Sequence, residues 1–250
     1  MSRGYSFDNA DHKVKDLLNR AAFKSHLNGT PCERAVVFPS LTGNDVRIGY
    51  ELGMYDMGTK FRVVEKGIAG KSQREYEFEF QKMMNRITGH NRSFCDYCDM
   101  LTYGNIENCR IGVRSENQSI FDMAYYDTCS TYSTIDKWLP FEVMMLKDGA
   151  PVMMTFVADY RKRLDVSKYS WLVRQYRPTM ALLDKIEMGH LDKSRFGNMR
   201  CLVDMRNMIA RLVGYIEGNG IRVDSAHVYN EDNPHATVMV FIDGVRCCGN

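Results

Sequence analysis

Long apolar runs are missing from this 250-residue chain. No stretch reaches the roughly 18 apolar residues that a membrane-spanning helix needs, so none is expected. The first residues, MSRGYSFDNADHKVKD, are polar and lack the apolar core of a secretory signal. No excess of one charge exists either: 33 Lys and Arg stand against 31 Asp and Glu. That balance argues neither for nor against a nucleic-acid partner. Also missing are HExxH, GxSxG and GxxxxGK[ST], which removes zincin, hydrolase-elbow and P-loop readings. No internal repeat or low-complexity tract appears, and prolines are few.

Eight cysteines are present, and only Cys95 and Cys98 form a CxxC. Without a secretory signal they are expected to stay reduced, as in a cytoplasmic protein. A second CxxC would be needed to make a zinc site of them; the adjacent Cys247 and Cys248 are a poor substitute. No metal is therefore expected.

Several segments carry clear periodicity. Residues 11–27 have Val14, Leu17, Leu18, Ala21 and Ala22 at helical spacing. RAVVF (34–38) is a short buried strand. Val46, Tyr50 and Met54 mark the inner stripe of the next helix, and KFRVVE (60–65) is a second strand. SQREYEFEFQKMMNRIT (72–88) is read as a helix, although YEFEF alternates like a strand. A short third strand is set near 94–101, a fourth at FDMAYYD (121–127), a helix at 134–149 and a strong fifth strand at APVMMTFVADY (150–160). Residues 167–218 read as helices, with LLDKIEM and CLVDMRNMIARLVGYIEG the clearest pieces. IRVDSAHVYN (221–230) and HATVMVFIDG (235–244) close the chain as a hairpin around EDNP.

This alternation demands an α/β fold with a mostly parallel sheet covered on both faces. The expected organisation is an N-terminal helical segment (1–30), a Rossmann-like core (31–166), a helical insertion (167–218) and a C-terminal hairpin (219–250) that adds an antiparallel edge strand to a seven-stranded sheet.

The order of the motifs carries a resemblance. FPSLTGN (38–44) is a glycine-bearing turn after the first strand. Glu65 closes the second strand about 20 residues beyond Gly43, the spacing at which a carboxylate accepts ribose hydroxyl protons. Asp99 follows the third strand, DTCST (127–131) ends the fourth, and a reversed strand closes the sheet. In this order the chain resembles class I, S-adenosylmethionine-dependent methyltransferases across roughly residues 31–165 and 219–245. It departs from them in its turn, where Phe38-Pro39-Ser40 and a single Gly43 replace an acid and paired glycines.

The resemblance implies S-adenosylmethionine as cofactor, bound at the turn of Phe38, Pro39, Ser40 and Gly43, with its carboxypropyl end facing the backbone N–H groups of that turn's non-proline residues at a helix N-terminus. It also implies ribose on Glu65, the adenine amino group near Asp99 and Met100, and cofactor contact by Asp127. Catalytic roles then fall to Asp127, as acceptor of protons from the methyl acceptor, and to Cys129, as a covalent nucleophile of the pyrimidine C5 type. Thr128 stands where that type has proline. Nucleic acid is the substrate class suggested by analogy. Arg161, Lys162 and Arg163 after the fifth strand would meet phosphates. Arg174 and Arg177, interleaved with Tyr169, Trp171 and Tyr176, would suit stacked bases, although core packing explains those aromatics equally well. The helices of 167–218 would otherwise dock a protein partner or a second copy. Two alternatives stay open: a methyltransferase fold that has lost catalysis and serves as a binding or assembly subunit, and another Rossmann-like enzyme, including one using NAD.

Overall fold

The computed structural model describes residues 13–39, 43–65, 71–104, 120–158, 169–195, 199–230 and 237–247. The chain opens on α1 (Lys13–His26), whose Leu18, Asn19, Ala22 and Phe23 are buried at helical spacing. β1 (Arg34–Val37), α2 (Asn44–Leu52), β2 (Lys60–Glu65) and α3 (Gln73–Thr88) follow. YEFEF lies inside α3, because Tyr76, Phe80, Met83 and Met84 form one buried stripe. A Ser72–Glu75 capping box starts that helix.

Next come the single turn α4 (Phe94–Tyr97), β3 (Cys98–Tyr103), β4 (Met123–Thr131), α5 (Leu139–Met144) and β5 (Pro151–Val157). The rest of the described chain is α6 (Ser170–Gln175), α7 (Met180–Asp184), β6 (Ile186–His190), α8 (Met199–Gly218), β7 (Ile221–Asn230) and β8 (Val238–Arg246). The expected third strand therefore starts four residues late, since Ser93 and Asp96 cap a helical turn over the CDYC segment.

One sheet joins all the strands in the order β3-β2-β1-β4-β5-β8-β7-β6. β8 is antiparallel to both β5 and β7, and the other pairings are parallel. The expectation of a mostly parallel α/β sheet with a reversed C-terminal strand holds, with two corrections. The reversed strand is not an edge: β8 is inserted between β5 and β7 and is buried over most of its length, as its run VMVFI suits. The sheet also has eight strands among the described residues rather than seven. LLDKIEM, read as helix, breaks after Asp184, and Ile186–His190 pairs with the outer edge of β7. Gly189 lowers helix propensity there, and the backbone groups of β7 reward a neighbour.

Side chains alternate between two cores. Val36, Val64, Ala124, Tyr126, Val152 and Met154 face α5, α6 and α8. Ala35, Val37, Phe61, Val63, Met123 and Tyr125 face α1, α2 and α3. Helices thus cover both faces, which is why the central strands are apolar on both sides. No described helix is long and apolar enough to cross a membrane.

Candidate crevice at the carboxyl ends of the strands

After β1 the chain moves to β2 on one side, and after β4 to β5 on the other, although β1 and β4 are neighbours. Connections leaving in opposite directions open a crevice at the carboxyl ends of adjacent parallel strands, where ligands of open α/β sheets bind.

The described residues on either side of the turn after β1, Phe38, Pro39 and Gly43, are closely packed against the protein. Phe38 is buried, its ring 5.2 Å from that of Tyr126, and its N–H bonds the Tyr125 carbonyl at 3.2 Å. Pro39 is buried. Gly43 caps α2 in the left-handed region at φ 60°. A Cβ there would lie 2.3 Å from the Met83 sulfur. Gly43→Ala is expected to cost about 1–2 kcal/mol from backbone strain and displacement of Met83, measured by urea unfolding.

Three acids converge on the crevice from different elements. Glu65 is the last residue of β2 and half-buried. Asp127 projects from β4, its side chain 6% exposed, and takes an ion pair from Lys15 of α1. Asp45, in the first turn of α2, is buried; its carboxyl is pushed up to about 7, mainly by burial, with Lys15 opposing and Asp127 adding to the shift. Tyr76 of α3 is fully buried, lies within electrostatic reach of both Glu65 and Asp45, and its hydroxyl has no partner among the described residues. One oxygen of Asp45 is likewise buried without a partner. Orphaned polar atoms of this kind call for an explanation, and a bound polar molecule is one.

α1 is tied to the sheet and to α2 along its length, with its first turn at the crevice. The Tyr125 hydroxyl donates to Asn19 at 2.9 Å, and His26 Nε2 meets Asp243 Oδ1 of β8 at 2.7 Å. Arg47 of α2 reaches Asp16 and Glu51, and Arg20 reaches Glu51.

Of the residues singled out in the sequence, Phe38, Pro39, Gly43, Glu65 and Asp127 gather at this crevice. Asp99 and Met100 do not. They sit near the start of β3, whose far end, Tyr103, is the one level with Glu65. Asp99 pairs instead with Arg34 at the start of β1, 3.5 Å away, because α4 delays the strand and shifts both residues to the opposite rim. Ser40, Arg161, Lys162 and Arg163 lie outside the described residues, as does the side chain of Cys129 within β4.

Arg174 and Arg177 are exposed beside α6. The aromatics between them are used in packing. Trp171 and Tyr176 meet Tyr215 of α8 edge-on at 4.9 and 5.6 Å, and Tyr169 meets Tyr132 at 4.8 Å. Cys95 is exposed, while Cys98 is buried with its thiol pushed up to about 12, mainly by burial. No metal-ligand cluster occurs among the described residues.

Lys15 and Asp45 were not singled out in the sequence. Lys15 reads there as one of four Lys and Arg residues on an amphipathic helix. Asp45 reads as an ordinary acid at a helix start. Their burial depends on α1 packing against α2, with Lys15 in its first turn reaching Asp127 of β4.

The chain has high-probability matches to solved structures over nearly its whole length. The O-methyltransferase TomG from Streptomyces achromogenes, solved in complex with SAM, aligns with a TM-score of 0.50 at 9% identity, covering 94% of this chain and 81% of its own. The cofactor-bound Rv0187 from MTB aligns with a TM-score of 0.50 at 10% identity, covering 98% and 85%. The chain has the class I methyltransferase fold. Its sequence matches no protein-family profile and no curated protein, so the likeness is one of fold.

Proposed function

We propose that the protein is an S-adenosylmethionine-dependent methyltransferase whose cofactor lies in the crevice at the ends of β1, β2 and β4. One observation carries this reading: a left-handed Gly43 turn, the terminal Glu65 of β2 and the buried Asp127 of β4 converge at the switch point of the sheet. The residues present fit such a group. Glu65 offers a carboxylate to two ribose hydroxyls, and the orphaned Tyr76 hydroxyl and Asp45 oxygen offer buried polar contacts.

The bound cofactor supplies an electrophilic methyl group. The protein's part is then mostly positioning, since in-line displacement needs alignment more than acid or base strength. Asp127 is anchored by Lys15 and can orient an acceptor or take its proton at the carboxylate. The aromatics beside Arg174 and Arg177 are engaged in packing, so a base-stacking platform for nucleic acid gains no support from them.

Thermal unfolding with S-adenosylmethionine, S-adenosylhomocysteine and NAD tests the reading. Either adenosyl ligand at a hundred times its dissociation constant should add about 2.7 kcal/mol, a rise of several degrees in melting temperature. Stabilisation by NAD alone would assign the crevice to another enzyme class. No shift with any ligand at millimolar concentration would favour a fold that has lost its cofactor.

A further inference from the structure

Two Asn-Gly and two Asp-Gly steps occur in the sequence: Asn28-Gly29, Asn219-Gly220, Asp148-Gly149 and Asp243-Gly244. Such steps are prone to close into a cyclic imide, because glycine has no side chain to keep its nitrogen from the preceding side-chain carbonyl. Closure needs that nitrogen free of a hydrogen bond and a chain loose enough for the approach. Three of the four steps are held. The Gly220 N–H donates to the Glu217 carbonyl at 2.9 Å, and the Gly220 carbonyl accepts from the Cys247 N–H and Arg246 Nη1, both at 2.8 Å. Asn219 Nδ2 donates to the Tyr215 carbonyl at 2.8 Å. The Gly149 N–H donates to the Arg246 carbonyl at 2.9 Å. Asp243 and Gly244 lie within β8, paired with β5 on one side and β7 on the other.

Asn28-Gly29 is different. It lies between α1 and β1, where Leu27, Asn28, Gly29 and Thr30 are all exposed. The Gly29 N–H has no partner among the described residues. Its φ is 85°, and nothing lies within 4 Å of where a Cβ would stand. The Thr30 N–H donates to Asn28 Oδ1 at 3.0 Å, the side-chain turn that asparagine commonly makes. That hydrogen bond closes a ring containing both Asn28 Cγ and the Gly29 nitrogen, and it draws electron density from Cγ. The attacked carbon is therefore activated beside the attacking nitrogen.

We infer that Asn28 is a self-modification site, at which the folded chain deamidates through a cyclic imide. The Gly29 nitrogen gives its proton to solvent and forms a bond to Asn28 Cγ. The Cγ–Nδ2 bond breaks, and the amino group takes up a proton and leaves as ammonia. Water, the only co-reactant, then opens the ring. Addition at Cγ gives an aspartyl product, and addition at the main-chain carbonyl gives the isomer whose backbone runs through Cγ. Either product adds one negative charge and takes the formal net charge from +2 to +1. The inference is independent of the crevice and its ligand.

Ageing the full chain at mildly alkaline pH and mapping its peptides by mass tests this, with the urea-unfolded chain aged alongside. In the folded protein Asn28 should convert at least about tenfold faster than Asn219, which reacts only when its segment opens. In urea the two steps are equally exposed and should convert at comparable rates. Water enriched in heavy oxygen should label both products at Asn28. Asn28→Gln should remove the early acidic species seen on isoelectric focusing, because closure would then need a larger ring. Conversion at Asn219 as fast as at Asn28 in the folded chain would overturn the inference. So would an Asn28 that converts only in urea.

Discussion

Glu142→Ala is expected to lower stability by about 3–5 kcal/mol, the largest single-site effect foreseen. Arg62 of β2 and Glu142 of α5 are 1% and 3% exposed and form a two-point ion pair, with Nη2 to Oε1 at 2.8 Å. The Tyr126 hydroxyl of β4 also donates to Glu142, at 3.4 Å. Removing the carboxylate leaves the guanidinium in an apolar layer among Val36, Val64, Tyr126 and Trp138 without its main counter-charge. The melting temperature should fall by on the order of 10 °C. The double variant Arg62→Met/Glu142→Leu should recover most of the loss, because the cost lies in an uncompensated buried charge rather than in the missing attraction. A loss below about 1 kcal/mol in the single variant would mean that Arg62 finds water or another acceptor.

Glu65→Ala should weaken S-adenosylmethionine binding about a hundredfold with little change in stability. A carboxylate accepting from two ribose hydroxyls makes two charge-assisted hydrogen bonds, each worth about 1.5–3 kcal/mol. A net loss near 2.7 kcal/mol corresponds to the hundredfold figure. Glu65 is suited to this because β2 stops there: its carbonyl still accepts from the Gly104 N–H at 2.8 Å. The backbone is therefore pinned while the side chain stands at the rim.

The sheet was readable from sequence because its strands are short apolar runs between helical periodicities, and β1, β2, β5 and β7 lie where RAVVF, KFRVVE, APVMMTFVADY and IRVDSAHVYN put them. Two features escaped that logic. β6 looks helical in LLDKIEM because only Ile186 is buried in it, leaving no alternation to see. α4 precedes β3 because a local Ser93–Asp96 cap outweighs the strand-like residues around it, which carries Asp99 away from the crevice.

The site divides in the same way. Glu65 and Gly43 were legible because their roles follow from positions along the chain. Lys15, Asp45 and Tyr76 were not, since each becomes distinctive only when packing against a distant element removes it from water. Asp127 stands between the two cases: its place on the fourth strand was visible, and its Lys15 partner, 112 residues away, was not.

Equilibrium dialysis of labelled S-adenosylmethionine against the wild-type chain and Glu65→Ala, side by side, tests the central claim most directly. The account predicts saturable binding at one site by the wild type and affinity about a hundredfold lower in the variant. Equal binding by both chains would remove Glu65 and the crevice at the end of β2 from the cofactor site. Absence of binding to the wild type at millimolar ligand would contradict the claim outright.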